Sequence, residues 1–304
     1  MTAVAAVHIA LALSLSPLLV GTINRTKSLF GGRTGQPLLQ SYYDLARLLR
    51  KGAVYSSTTS WIFRAGPVAG LAAALAALTL LPPGGGRSPL AFAGDFFLFA
   101  YLLGVIRFFL VLAALDTGSA FEGMGASREV MISALAEPAM LAALAALAHL
   151  TGSLSLSGLM GGAGEDGFIA AAPVVLLAAA ALFGVMLAEN ARIPVDDPNT
   201  HLELTMVHEV MVLDHSGPDL AYILYTSALK IWLLGAVTVG VLLPLSGLDP
   251  WASLGALVAG LFVLAAIVGV IESSFARLKM SRVPVFLGGA AALSVFAFII
   301  VYRS

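Results

Sequence analysis

Eight stretches of this chain stay apolar for about 20 residues, long enough for a helix rising 1.5 Å per residue to cross a hydrocarbon core of roughly 30 Å. They are Ala3–Ile23, Ala65–Leu81, Leu90–Ala114, Ser127–Leu150, Phe168–Ala188, Leu220–Pro244, Trp251–Glu272 and Val283–Tyr302. Only 11% of the 304 residues are charged and 59% are hydrophobic, whereas soluble domains carry roughly 25% charged residues. Together with a mean hydropathy of +0.96, this predicts an all-α integral membrane protein with eight transmembrane helices and a single membrane domain over residues 1–304. The first run lacks a basic leader and is long enough to span, so it is read as a retained helix rather than a secretory signal.

Lysine and arginine set the expected orientation. Arg25, Lys27, Arg33, Arg47, Arg50, Lys51 and Arg64 lie between the first two runs, Arg192 follows the fifth, and Arg277, Lys279 and Arg282 separate the last two. The opposite side holds Arg87 and Arg303. The positive-inside rule then puts loops of about 24–64, 115–127, 189–219 and 273–282 in the cytoplasm and both termini outside. The net charge of −1 gives no basic field of the kind that binds nucleic acid. With no cysteine in the chain, disulfides, thiolate metal sites and cysteine nucleophiles are excluded. Electron carriers of any redox chemistry therefore belong to partner subunits.

Two cytoplasmic segments have local pattern. From Pro37 to Lys51, Leu38, Tyr42, Leu45 and Leu49 recur at helical spacing while Gln40, Asp44, Arg47 and Lys51 fall elsewhere on the wheel, which predicts an amphipathic helix at the membrane face or beneath a partner. The second segment, AENARIPVDDPNTHLELTMVHEVMVLDHSG from Ala188 to Gly217, concentrates the ionisable side chains. Asp197 ahead of Pro198 predicts a helix start there, running toward Leu213 with Leu202, Met206, Val210 and Leu213 as an apolar seam. His201 and His208 are too widely spaced, and lack the second histidine of H-E-x-x-H, to form a metal site. They are expected to be solvated or to face a partner.

Within the apolar runs, Arg107, Glu137 and Lys230 are the ionisable residues that need an explanation. Charge at the centre of a spanning helix is costly and is usually paired inside the bundle. A Glu137–Lys230 or Glu137–Arg107 pair is expected about 15 Å from the cytoplasmic helix starts, either as static packing or as a proton relay. Pro138 adds an expected kink beside Glu137.

Several motifs resemble one family. GGRTGQPLLQSYYDLARLL (Gly31–Leu49), DTGSAFEGMGASREVMISALAEP (Asp116–Pro138), AENARIPVD (Ala188–Asp196), DHSG (Asp214–Gly217) and IESSFARLKMSRVP (Ile271–Pro284) are similar to the membrane subunit shared by complex I (NADH:quinone oxidoreductase) and the group 4 membrane-bound nickel–iron hydrogenases, including formate hydrogenlyase. The Asp116–Pro138 and Ile271–Pro284 motifs closely resemble the hydrogenase branch. The resemblance implies that Glu189, Arg192, Asp196, Glu203 and Asp214 line the cytoplasmic face beside a hydrophilic redox arm. It also implies that Glu137 belongs to a carboxylate chain carrying the coupling signal toward antiporter-like subunits, with Arg107 and Lys230 expected on the same path. Partner docking is expected at Arg33, Asp44, Arg47, Arg50, Asp116, Arg128, Glu129, His201 and His208. Val195 stands where the family has phenylalanine, and Asn199–Leu204 keeps only Glu203 of the acidic run common in complex I members, which disfavours a quinone site.

The expected function is therefore a subunit of an oxidoreductase complex in a prokaryotic inner membrane, coupling electron transfer to proton or sodium movement. No cofactor is expected in this chain. Nickel–iron (Ni-Fe) and iron–sulfur clusters would lie in hydrogenase-like large and small subunits and iron–sulfur subunits. Alternatives are a quinone-channel subunit, a free-standing secondary transporter and a purely structural scaffold.

Overall fold

The computed structural model describes residues 3–161, 165–197, 206–245 and 247–303. Among them the chain is helical throughout its regular structure, with no strand. The helices are α1 (Ala3–Phe30), α2 (Gln40–Leu49), α3 (Trp61–Leu80), α4 (Asp95–Asp116), α5 (Ala120–Thr151), α6 (Leu156–Gly161), α7 (Glu165–Glu189), α8 (His208–Met211), α9 (Gly217–Leu242), α10 (Pro250–Ser274) and α11 (Val283–Arg303), the last preceded by a 3₁₀ turn at Met280–Arg282. Eight of these are long and apolar enough to cross a membrane, matching the eight expected spans. The protein is an all-α, multi-pass membrane protein.

The helices start and stop where local chemistry dictates. Ser60 caps α3 by accepting from the Ile62 amide, and Asp249 caps α10 ahead of Pro250 by accepting from Trp251. Asp116 reaches across from the end of α4 to accept from the amides of Ser60, at 2.7 Å, and Phe63, at 3.3 Å. These contacts satisfy amides that an isolated helix start leaves open.

The spans assemble around α9, the most enclosed helix, which packs on α1, α3 and α7. On either side α3 pairs with α4, α1 with α10, and α11 with both α5 and α7. Close crossing of α3 and α4 depends on Gly66, where an added Cβ would lie 3.0 Å from the Ala113 methyl and 3.1 Å from the Phe109 carbonyl. Small residues at such crossings let backbones approach where lipid provides no hydrophobic drive for association. Polar contacts add direction: the Ser294 hydroxyl on α11 donates to the Ala139 carbonyl on α5 at 2.9 Å.

Three expectations change. The helix foreseen from Asp197 to Leu213 is, in its described part, only the single turn of α8, because the Asp196 carboxylate takes the His208 amide at 3.1 Å. Residues 198–205, with His201, Leu202 and Glu203, lie outside the described residues. Met206 and Val210 are buried as expected of the seam, whereas Leu213 is exposed. The span holding Glu137 begins seven residues earlier than expected and runs without interruption through Pro138. The first-loop helix forms at Gln40–Leu49, packed on α1 and α9. Its Tyr42 hydroxyl donates to the Ser14 carbonyl.

Candidate functional site

The end of α7 terminates inside the protein, and the polar segment after it folds back into the bundle. Glu189, Asn190, Arg192 and Asp196 are all buried, so the first part of the expected cytoplasmic lining is interior. Ala191, in the left-handed region at φ +49°, turns the chain. That conformation is rare for a residue with a side chain and is commonly held in place by surrounding contacts at functional sites. The turn sends Glu189 and Arg192, three residues apart, in different directions.

Glu189 anchors a chain of charges across four helices. Its carboxylate pairs with Arg107 of α4 and lies 3.8 Å from the Lys230 ammonium of α9, which also donates to the Glu189 backbone carbonyl at 2.6 Å. Arg107 continues the chain to Glu137 of α5 at 3.5 Å. Of the two pairings expected for Glu137, the structure forms the one with Arg107. Lys230 is held by Glu189 instead. The Glu137 side chain is 31% exposed, against 2% for Glu189, so the chain begins in the core and ends on a face of α5 that this subunit leaves open.

A cavity of about 40 Å³ adjoins this chain, large enough for about two or three waters. Arg107, Glu129, Glu189, His208 and Lys230 supply its polar wall, and Gly66, Pro67, Ile106 and Leu110 are among its apolar lining. Glu129 and His208, which the sequence assigns to partner docking, thus face the interior. Glu129 is buried because α5 starts early enough to carry it into the bundle. No periodicity signals this, since its neighbours Arg128 and Ser127 are polar too.

Arg192 anchors a second network. It pairs with Glu272 at the end of α10, at 3.4 Å, and Glu272 is also 3.4 Å from Lys27 of α1. Lys27 in turn lies 3.7 Å from Asp197, and Asp196 pairs with Arg277 at 2.8 Å. None of Glu189, Asp196 and Asp214, the described carboxylates of the polar segment on either side of Arg192, pairs with it, and Glu203 lies outside the described residues. Glu189 is taken by Arg107 and Lys230, Asp196 by Arg277, and exposed Asp214 sits beside Glu122, whose carboxylate accepts its amide at 3.3 Å. The partner is Glu272, which reads in the sequence only as the polar end of an apolar run. Burial pushes the Asp196 carboxyl upward, opposed by Arg277 and by the amides of His208, Asp197 and Val207.

The remaining docking candidates divide. Arg33, Arg47 and Arg50 are exposed. Asp44 accepts from Gln40 at 2.9 Å, Asp116 caps α3, and Arg128 donates to the Met206 carbonyl at 2.9 Å. Further along, His215 stacks on Phe63 at 3.9 Å with the rings nearly parallel. Its burial drives the imidazole down to about 4. Edge-on to the same Phe63 ring, Tyr55 has its hydroxyl raised by burial first and then by Asp219, against the pull of Arg64. Among the described residues no group of three or more His, Asp or Glu comes together to hold a metal.

Comparison with known proteins places this arrangement. The chain is 28% identical over 292 residues, 94% of each chain, to formate hydrogenlyase subunit 4 of Escherichia coli (strain K12). It is 29% identical over 232 residues to hydrogenase-4 component C of the same organism, covering 76% of this chain and 72% of that one. In structure it superposes with a TM-score of 0.84 on a chain of the membrane-bound sulfane sulfur reductase, an archaeal respiratory membrane complex, at 21% identity over 98% of both. That likeness shows a shared fold. A family model described as NADH dehydrogenase matches residues 2–302. With nearly its whole length matched, and the spanning bundle and buried charges in place, the chain belongs to the NADH dehydrogenase family.

Proposed function

We propose that the protein is the membrane subunit of a hydrogenase-type respiratory complex, which seats a cytoplasmic redox module and couples its electron transfer to ion movement. The observation that carries this reading is the chain Lys230–Glu189–Arg107–Glu137 beside a water-sized cavity. Desolvating each ion costs several kcal/mol, and intramembrane ionisable residues commonly mark ion or proton pathways. Counting Glu129, three carboxyls face two cations, so the cluster reaches neutrality on holding one proton. A cluster poised between two protonation states can receive and pass on a proton. Glu137, at its open end on α5, is where a neighbouring antiporter-like subunit would receive the signal.

The names of the relatives favour a hydrogenase-like partner over a quinone oxidoreductase. A chain with no cysteine offers no thiolate for nickel–iron or iron–sulfur clusters, so these would be held by partners docked near exposed Arg33, Arg47, Arg50 and Asp214. Whether the ion leaves as a proton or as sodium exchanged downstream, the role of Glu137 is the same.

Replacing Glu137 with glutamine tests the reading. Arg107 keeps Glu189 as its counter-charge, so the assembled complex should form and turn over electrons while ion translocation, followed in proteoliposomes, falls at least about tenfold. A variant that assembles and translocates normally overturns the proposal, and loss of assembly assigns Glu137 to packing alone.

A further inference from the structure

His208 belongs to both charge networks at once. Its backbone amide donates to Asp196 Oδ2 at 3.1 Å, and the other oxygen of that carboxylate pairs with Arg277 at 2.8 Å. Its side chain lines the cavity shared with Arg107, Glu129, Glu189 and Lys230. The single turn of α8 that carries it runs from this cavity to the protein surface, since Leu213 and Asp214 just beyond are exposed.

We propose that His208 is the proton-intake residue of the buried carboxyl cluster, exchanging protons between the cytoplasmic surface and Glu129 and Glu189 through water in the cavity, with Asp196 and Arg277 positioning it. The proposal rests on the coupling role assigned above and adds the group through which the cluster is loaded. The step is a proton transfer alone. Neutral imidazole takes a proton from water or a partner group on its unprotonated nitrogen, the imidazolium gives one up to a hydrogen-bonded water, and that water passes one to a carboxylate. The imidazole is left neutral and no electron moves.

The surroundings suit this direction of flow. Facing His208 are Lys230 from α9, Arg192 from the turn after α7, Arg107 from α4, Glu189 from α7 and Glu129 from α5. Burial first, then Lys230 and Arg192, lower the imidazole to about 4. At neutral pH the proton is therefore held only transiently and is released toward the carboxyls, where it completes the charge balance. General acid–base groups of this kind typically contribute 10²–10⁴-fold to a proton-transfer rate.

The test uses the whole complex in proteoliposomes, with proton uptake and electron turnover read separately. His208→Gln keeps size and polarity but cannot carry a proton. We expect it to assemble and turn over electrons with proton uptake at least about tenfold slower. In His208→Ala, added imidazole and 4-methylimidazole should restore uptake, with pH midpoints that follow the pKa of the added base. A role in packing would not produce that dependence. Normal uptake in His208→Gln, absence of rescue in His208→Ala, or failure of both variants to assemble would each overturn the proposal. Glu137→Gln separates the two levels: if it is impaired while His208→Gln is not, only the intake role fails, whereas normal translocation in both removes the coupling reading itself.

Discussion

Glu272, which the sequence does not single out, ties the turn after α7 to the end of α1. Its side chain is fully buried and faces two cations, Arg192 and Lys27. Removing its charge leaves Arg192 buried without its counter-ion, and breaking a buried pair by deleting one partner costs about 3–5 kcal/mol. Lys27 is 28% exposed at its side chain, and a pair with that much solvent access contributes only about 0–1 kcal/mol. Glu272→Gln should therefore lower the melting temperature of the detergent-solubilised protein far more than Lys27→Ala, and equal shifts would show that the network is dominated by solvent. His215 makes a second residue-scale case. It is neutral in the folded state at about 4 against roughly 6.5 in an unfolded chain. Its contribution to stability is thus complete above pH 6.5 and declines as pH falls from 6.5 toward 4, because the unfolded state gains the proton first. The neighbouring segment is tied on by the Val54 amide donating to Ser216 Oγ at 3.1 Å. Hydrogen exchange at Val54 should accelerate over that pH window, and His215→Phe, which keeps the stack on Phe63, should flatten the response. Exchange that is pH-independent once corrected for intrinsic rates would refute the assignment.

At the scale of elements, close backbone contacts decide which helices can meet. The α3–α4 crossing leaves no room at Gly66, and Pro67 and Gly70 on the same helix line the cavity with Arg107 of α4. Forcing these helices apart would move Arg107 away from Glu189. Gly66→Leu should reduce the yield of folded protein in detergent and abolish translocation together. Gly104→Ala on α4, where an added methyl meets nothing within 4 Å, should be tolerated; a Gly66→Leu protein as stable as Gly104→Ala would show that the crossing is looser than this geometry requires. The turn into α9 is similarly tight. Gly217 has φ +56°, and a Cβ there would approach the Gly52 carbonyl to 2.7 Å, so the DHSG turn and the loop before α3 fit together only with glycine. The amphipathic α2 is docked rather than loose: Tyr42 binds α1, while Leu38, Tyr43 and Leu49 remain exposed for lipid or a partner.

For the whole molecule, two charge networks among the described residues meet at one turn. The second group is balanced, Lys27, Arg192 and Arg277 against Asp196, Asp197 and Glu272. The first is one proton short of balance when Glu129 is counted. Glu189 and Arg192 flank Ala191 and connect the two covalently, and Asp196 connects them again through His208. A partner that disturbs the second group can therefore act on the first through a few bonds, which is what the proposed coupling requires. Such an influence needs two arrangements of the turn with different contacts in each, and the strained Ala191 is where the backbone would change.

The spans and the family were legible in the sequence, because the length of an apolar run and the chemistry of a short motif are local properties that fold with little help from distant residues. The need for Arg107, Glu137 and Lys230 to find partners was legible too, since any charge in hydrocarbon must be compensated. Which partner each one takes was not. Arg107 and Glu189 are 82 residues apart, Arg192 and Glu272 are 80, and no spacing rule relates them. Packing of α4, α7, α9 and α10 alone decides which carboxylate is nearest to which cation. The same holds for Glu129 and His208, which no spacing along the chain marks as interior and which tertiary structure turns inward because α5 begins early and Asp196 holds α8 against the bundle.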